Sequence, residues 1–248
     1  MNPLHTCLDY LRLPYLTENY DPLAKQAAEK KWPYADYLQH LLEGEYQRRQ
    51  ERALERRVRA ARFPVLKTLD RFRWDWPTKI NEMQIKNLFR LGFVDKKTNV
   101  IFVGGCGLGK THLSVALGYQ ACQAGHPVLF TTAVDALNNL VAAQAAHRLK
   151  AERKKYLSPR VLHLDELGYL PLDKMGADLL FQVISQRYEC GSTVITTNKP
   201  FKRWPEIFNN DSGITSAILD RLLHGAETVV IEGKSFRMKD QIDPPTPS

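Results

Sequence analysis

Apolar positions along the first quarter of the chain recur at helical spacing, and residues 1 to about 62 read as helical. Asp21-Pro22 has the make-up of a helix start, a capping acid followed by proline where no amide donor is needed. A second, long pattern runs from about Pro33 through Arg62 and places Leu38, Leu41, Leu42 and Tyr46 on one face. Leu54, Val58 and Ala61 continue an apolar stripe, while Arg48, Arg52, Arg56 and Arg59 fall on the opposite side. Phe63-Pro64 ends the pattern. The stretch to about Leu91, aromatic and basic with Phe72, Trp74, Trp76 and Pro77, reads as a linker. Beyond it the period shortens. Strands are expected at Asn99–Val103, Pro127–Thr131, Arg160–Leu164, Thr193–Thr197 and Thr228–Ile231, with helices between most of them. That alternation predicts an α/β fold, a parallel five-stranded sheet flanked by helices and preceded by a small all-α domain. The expected bounds are 1–64 for the helical domain, 65–95 for the connector, 96–240 for the α/β domain and 241–248 for a frayed tail.

Composition narrows the class of protein. Hydrophobic residues make up 44% of the 248, enough for a packed core. No apolar run approaches the roughly 18 residues of a membrane span. Met1–Tyr20 lacks the basic start and apolar block of a secretory signal. Cys7, Cys106, Cys122 and Cys190 show no paired ligand spacing, so reduced thiols in a cytoplasmic protein are expected. The net charge of +8 is uneven: seven arginines against two glutamates lie between Arg48 and Arg62. Such a local surplus points to a polyanion, and double-stranded DNA is the expected partner of Arg48, Arg52, Arg56 and Arg59.

The chemistry is carried by Gly104-Gly105-Cys106-Gly107-Leu108-Gly109-Lys110-Thr111, followed by His112 and a helical segment. A strand, a G-x-x-x-x-G-K-T loop and a helix in that order form a phosphate cradle, so ATP is the expected ligand. Inward backbone amides and the partial positive charge of the helix start hold the phosphates. Lys110 should reach the β and γ phosphates, and the Thr111 hydroxyl should ligate Mg²⁺. Val161-Leu-His-Leu-Asp165-Glu166 is an apolar strand ending in two acids. Asp165 is expected to hold Mg²⁺ through water and Glu166 to polarise the attacking water. Asn198, after the fourth strand, is equally a ligand for that water and a residue of an Asn-Lys-Pro turn.

In order, these pieces and the later Ala217-Ile-Leu-Asp-Arg-Leu-Leu-His224 and Gly233-Lys-Ser-Phe-Arg237 resemble the AAA+ ATPases of the helicase-loader clade. Within it the chain is most similar to the IstB-type helper ATPases of bacterial insertion sequences, with DnaC-type loaders as cousins. The resemblance covers nearly the whole chain. It implies that Asn198 is a first sensor, that Arg221 is an arginine finger reaching a neighbouring copy's γ phosphate, and that Arg237 is a second sensor. It also implies a homo-oligomer built on shared ATP sites and a transposase of the same insertion sequence as partner. About 17 residues follow the last strand, too few for the helical lid of many AAA+ proteins. A helicase loader and a nucleotide-gated DNA-coating scaffold are the competing readings.

Overall fold

The computed structural model describes residues 3–236. Arg237 and the tail from residue 241 lie outside them. The chain forms two compact units, divided between Arg56 and Arg57.

The first unit holds α1 (Pro3–Tyr10), α2 (Pro14–Lys30) and most of α3 (Tyr34–Ala61). Leu8, Leu16 and Leu41 form its small core, joined by the half-buried Leu13, Tyr15, Tyr20, Leu23 and Tyr37. The carboxylate of Glu45, 4% exposed, accepts the Tyr15 amide at 2.9 Å and Arg49 Nε at 2.9 Å. At Gly44 a Cβ would stand 2.0 Å from the Tyr15 ring, so glycine sets how closely α2 and α3 approach.

Two expectations need correction here. Asp21-Pro22 does not start a helix. Helix α2 begins at Pro14, where a proline in the first turn costs no hydrogen bond, and continues through Pro22. Packing of Leu16, Tyr20 and Leu23 carries the helix across the proline, and Asp21 is instead paired with Lys25 at 2.7 Å. Helix α3 also has no single apolar stripe. In its first half only Leu41 of the four named residues is buried, while Leu38, Leu42 and Tyr46 are at least half exposed. Leu54, Val58 and Ala61 turn inward on a face roughly half a turn of the wheel away. The first unit ends at Arg56, so only the last turn of the helix, with Val58 and Ala61, belongs to the second.

The second unit is built on five parallel strands: β1 (Val100–Gly104), β2 (Val128–Thr132), β3 (Val161–Leu167), β4 (Ser192–Thr197) and β5 (Glu227–Ile231). Their order is β2-β3-β4-β1-β5. The intervening helices are α6 (Lys110–Gln123), α7 (Ala133–Ala145), α8 (Leu149–Leu157), α9 (Lys174–Arg187) and α10 (Ser212–Leu223). Ahead of the sheet come the short helices α4 (Glu82–Leu88) and α5 (Gly92–Asp95). With helices on the sheet faces, β3 and β4 are buried on both sides and read as nearly continuous burial.

Two buried polar groups fix how β3 sits. Arg187 is 3% exposed and donates to the carbonyls of Tyr156 at 2.8 Å, Pro159 at 3.0 Å and Ser192 at 2.6 Å. It thereby satisfies the turn that leads into β3, and burial lowers its pKa to about 10. His163, fully buried, shares a 2.8 Å hydrogen bond with Ser114 on α6, and burial pushes its pKa down to about 3. The imidazole is therefore neutral around pH 7 and ties the cradle helix to the acid-bearing strand.

Helix α6 approaches that contact at Gly118, where a Cβ would stand 2.8 Å from Phe63 and 2.9 Å from His163 Nε2. Gly118→Val, which brings little helix propensity over glycine, should lower stability by about 1–3 kcal/mol through overpacking. A shifted urea midpoint at unchanged slope checks this; an unshifted midpoint would mean the contact yields freely.

Candidate nucleotide site

The cradle sits at the C-terminal end of β1, where ligands gather in open α/β sheets. Its loop takes left-handed backbone at Gly107 (φ +74°) and Gly109 (φ +83°), conformations that side chains disfavour. Neighbours press on both positions: a Cβ would meet Ser235 Oγ at 2.1 Å and the Phe72 ring at 2.7 Å. Lys110 opens α6 and its ammonium donates to the Gly105 carbonyl at 2.6 Å, folded over its own loop. Leu108 is buried, whereas Gly105 and Cys106 are exposed at the mouth. His112 turns elsewhere: its Nε2 lies 2.8 Å from the Thr68 carbonyl and its ring stands edge-on to Phe72.

Asp165 and Glu166 reach this cradle through an irregularity in the sheet. Leu164 pairs with Ile195, but Leu167 pairs with Thr197, so two residues of β3 oppose the single residue Thr196 of β4. That is a β-bulge. Glu166 sits at φ +59°, a conformation costing a non-glycine residue about 1–3 kcal/mol unless its surroundings enforce it. Its amide donates to Thr196 Oγ1 at 2.9 Å. Thr196 in turn donates to Asp165 Oδ1 at 2.6 Å. From the other side the Thr111 hydroxyl donates to Asp165, 3.1 Å from Oδ1 and 3.0 Å from Oδ2. Asp165 is 4% exposed while Glu166 faces solvent in the cleft.

The cleft has a volume of about 880 Å³ and is lined by Lys110, Thr111, Glu166 and Asn198 among others. Asn198 Nδ2 lies 4.0 Å from Cys106 Sγ, so the residue after β4 meets the loop after β1. Oxygen ligands are what a hard cation needs, and a Thr hydroxyl beside a buried carboxylate suits Mg²⁺ completed by phosphate oxygens and water. No cluster of three or more His, Cys, Asp or Glu able to hold a metal occurs among the described residues.

Residues 6–243 match the family described as IstB-like ATP binding protein. The chain belongs to the IstB-like ATP-binding family. An insertion sequence IS21 ATP-binding protein of Pseudomonas aeruginosa is 39% identical over 97% of this chain and 91% of its own length. The corresponding IS5376 protein of Geobacillus stearothermophilus is 36% identical over 96% and 94%. Among solved structures, AMPPCP-bound DnaA from Aquifex aeolicus shares the fold at a TM-score of 0.58 and 20% identity, over 72% of this chain and 54% of that one. The DnaC helicase loader matches at 0.54 and 25%, over 66% and 96%. The α/β unit of this family member is thus a P-loop AAA+ fold, as the strand order and cradle anticipate.

The other expected site residues are spread out. Arg221, on α10, donates to the Ala217 carbonyl at 2.8 Å, lies over the Phe181 ring at 5.1 Å and does not line the cleft of its own chain. Arg52, Arg56 and Arg59 are exposed on α3. Arg48 is half-buried: it grips Glu18 through two bonds of 2.6 and 3.1 Å, which hold the Glu18 carboxyl below its usual pKa.

The stretch to about Leu91, expected as a linker, contributes to the cleft wall. Phe72, Trp76 and Pro77 line the cleft, and Lys79 bridges antiparallel to Glu232. Trp76 Nε1 donates to the Lys234 carbonyl at 2.9 Å, its ring stands edge-on to Phe236, and the Phe236 amide bonds the Gly107 carbonyl at 3.0 Å. The segment after β5 and the connector therefore close over the cradle together. The density of aromatic residues between Phe72 and Pro77 was the available signal, since a solvated linker has no use for them.

Lys110→Ala removes the ammonium that stands over the cradle loop. It should weaken ATP binding at least tenfold, about 1.4 kcal/mol or more, by titration with a fluorescent ATP analogue; unchanged affinity would exclude this lysine from the site.

Proposed function

We propose that this family member is a Mg²⁺-dependent ATPase that assembles on double-stranded DNA and helps the transposase of the same insertion sequence use its target, acting in the cytoplasm. The observation that carries the hydrolytic part is the bulge that turns Asp165 and Glu166 together toward the cradle. Backbone amides of residues 105–109 and Lys110 bind the triphosphate. The Thr111 hydroxyl and, through water, Asp165 would hold Mg²⁺, which would supply charge neutralisation at the phosphates. Glu166 takes a proton from the attacking water as its oxygen bonds the γ phosphorus. The bond to the bridging oxygen breaks, and ADP departs with inorganic phosphate. Asn198 orients the same water from the end of β4.

Arg221 would complete the site of an adjacent copy. Its place away from its own cleft supports a role in trans, and a head-to-tail contact of that type builds rings or open helices. Arg237 would serve as a second sensor. The exposed guanidiniums of Arg52, Arg56 and Arg59 support a phosphate grip by the helical domain, with Arg48 joining only if it leaves Glu18. Phosphate contacts give affinity without reading sequence. The likeness to the DnaC helicase loader favours a second reading, the same engine with a helicase as partner; pull-down of transposase against helicase separates the two.

Two outcomes are expected. Arg221→Ala should slow steady-state hydrolysis on the order of a thousandfold while monomer affinity for ATP is kept; full turnover would end the shared-site reading. Replacing Arg52, Arg56 and Arg59 together with Ala should flatten the slope of log K against log salt by about 0.9 for every phosphate no longer neutralised. An unaltered slope would place the DNA grip elsewhere.

A further inference from the structure

The structure assigns Thr196 as the positioning residue that holds Asp165 and Glu166 in register for hydrolysis. The inference rests on the reading of the cleft as an ATP-hydrolysing site and adds a residue to it.

Thr196 is 1% exposed on β4, directly opposite the bulge. A hydroxyl has one proton to give and two lone pairs to receive with. The Glu166 backbone N–H can only donate, so Thr196 Oγ1 accepts that bond. The hydroxyl proton is then directed to Asp165 Oδ1, and the short 2.6 Å contact fits a charge-assisted bond to an ionised carboxylate. One buried side chain thus touches both acidic residues, the carboxylate of one and the amide of the other.

A bulge leaves its extra residue without a ladder partner. The Thr196 side chain supplies that partner in place of a backbone carbonyl and holds Glu166 at φ +59°. Valine has the same shape and cannot make either bond. Without the hydroxyl, the Glu166 amide is unpaired and Asp165 keeps only Thr111 of its two threonine donors. The Glu166 carboxylate then samples positions away from the water it must polarise. Thr196 lines the cleft but is only 1% exposed, and its hydroxyl is taken up by the two acids, so its effect should fall on turnover more than on binding.

Three variants test this on the full chain: Thr196→Val, Thr196→Ser and Glu166→Gln. The direct readout is hydrogen exchange of the Glu166 amide by NMR without nucleotide, with kcat and KM for Mg·ATP measured beside it. Thr196→Val should speed exchange at Glu166 at least tenfold and lower kcat about 10–100-fold, the scale of a misplacement near 1 Å, with KM changed less than about threefold. Thr196→Ser should restore both. A Thr196→Val protein with slow Glu166 exchange and normal kcat overturns the assignment, as does a serine variant no better than valine, or a loss confined to KM. Glu166→Gln separates the two levels. If it is inactive while Thr196→Val is fast, only the Thr196 assignment fails. If Glu166→Gln still turns over normally, the reading of the cleft itself fails.

Discussion

Consecutive residues of a β-strand face opposite sides of the sheet, yet Asp165 bonds Thr111 of the cradle helix and Glu166 lines the cleft beside it. In a regular β3, Asp165 and Glu166 would point apart and one of them would be lost to the far side. The two-against-one bulge opposite Thr196 removes that conflict at the cost of a left-handed Glu166. Much of the surrounding unit bears on this point. Arg187 fixes the turn before β3, His163 ties β3 to the cradle helix, and Thr111 bonds Asp165 from that same helix. Sequence, packing and chemistry meet at a single irregularity.

The second constraint is closure. The cradle at the C-terminal end of β1 is walled by segments from far apart in sequence. Phe72, Trp76 and Pro77 come from before the sheet, Ser235 and Phe236 from after it, and the Lys79–Glu232 bridge and the Trp76–Lys234 bond join them. This wall presses on Gly107 and Gly109, so the glycines there answer to packing as well as to phosphate binding. The same residues thus line the cleft and join the segments on either side of the sheet.

The five strands and the cradle were legible from the sequence because local signals agree: apolar runs, glycine spacing and terminal acids all mark the same places. The helical unit was less so. Asp21-Pro22 carries the local mark of a helix start, but Leu16, Tyr20 and Leu23 pack the segment into one helix from Pro14. The wheel of α3 cannot reveal that Leu41 and Val58 turn inward on different sides, since which face is buried depends on partners remote in sequence. The bulge was invisible for a similar reason: Asp165-Glu166 announces two acids, whereas the pairing that brings both to the cleft depends on Thr196, about thirty residues on. Arg48 has the same sequence setting as its neighbours, but Glu18, thirty residues away, pairs with it.

The account places half of the hydrolytic charge on the bulge of one copy and the other half on Arg221 of the next. Mixing the Glu166→Gln and Arg221→Ala proteins tests that division most directly, by the ATPase rate of the mixture against each protein alone. In the mixture an Arg221→Ala cradle keeps its glutamate and receives an intact arginine from a Glu166→Gln neighbour. The account predicts that two inactive preparations regain turnover together. A mixture as inactive as its components would contradict it.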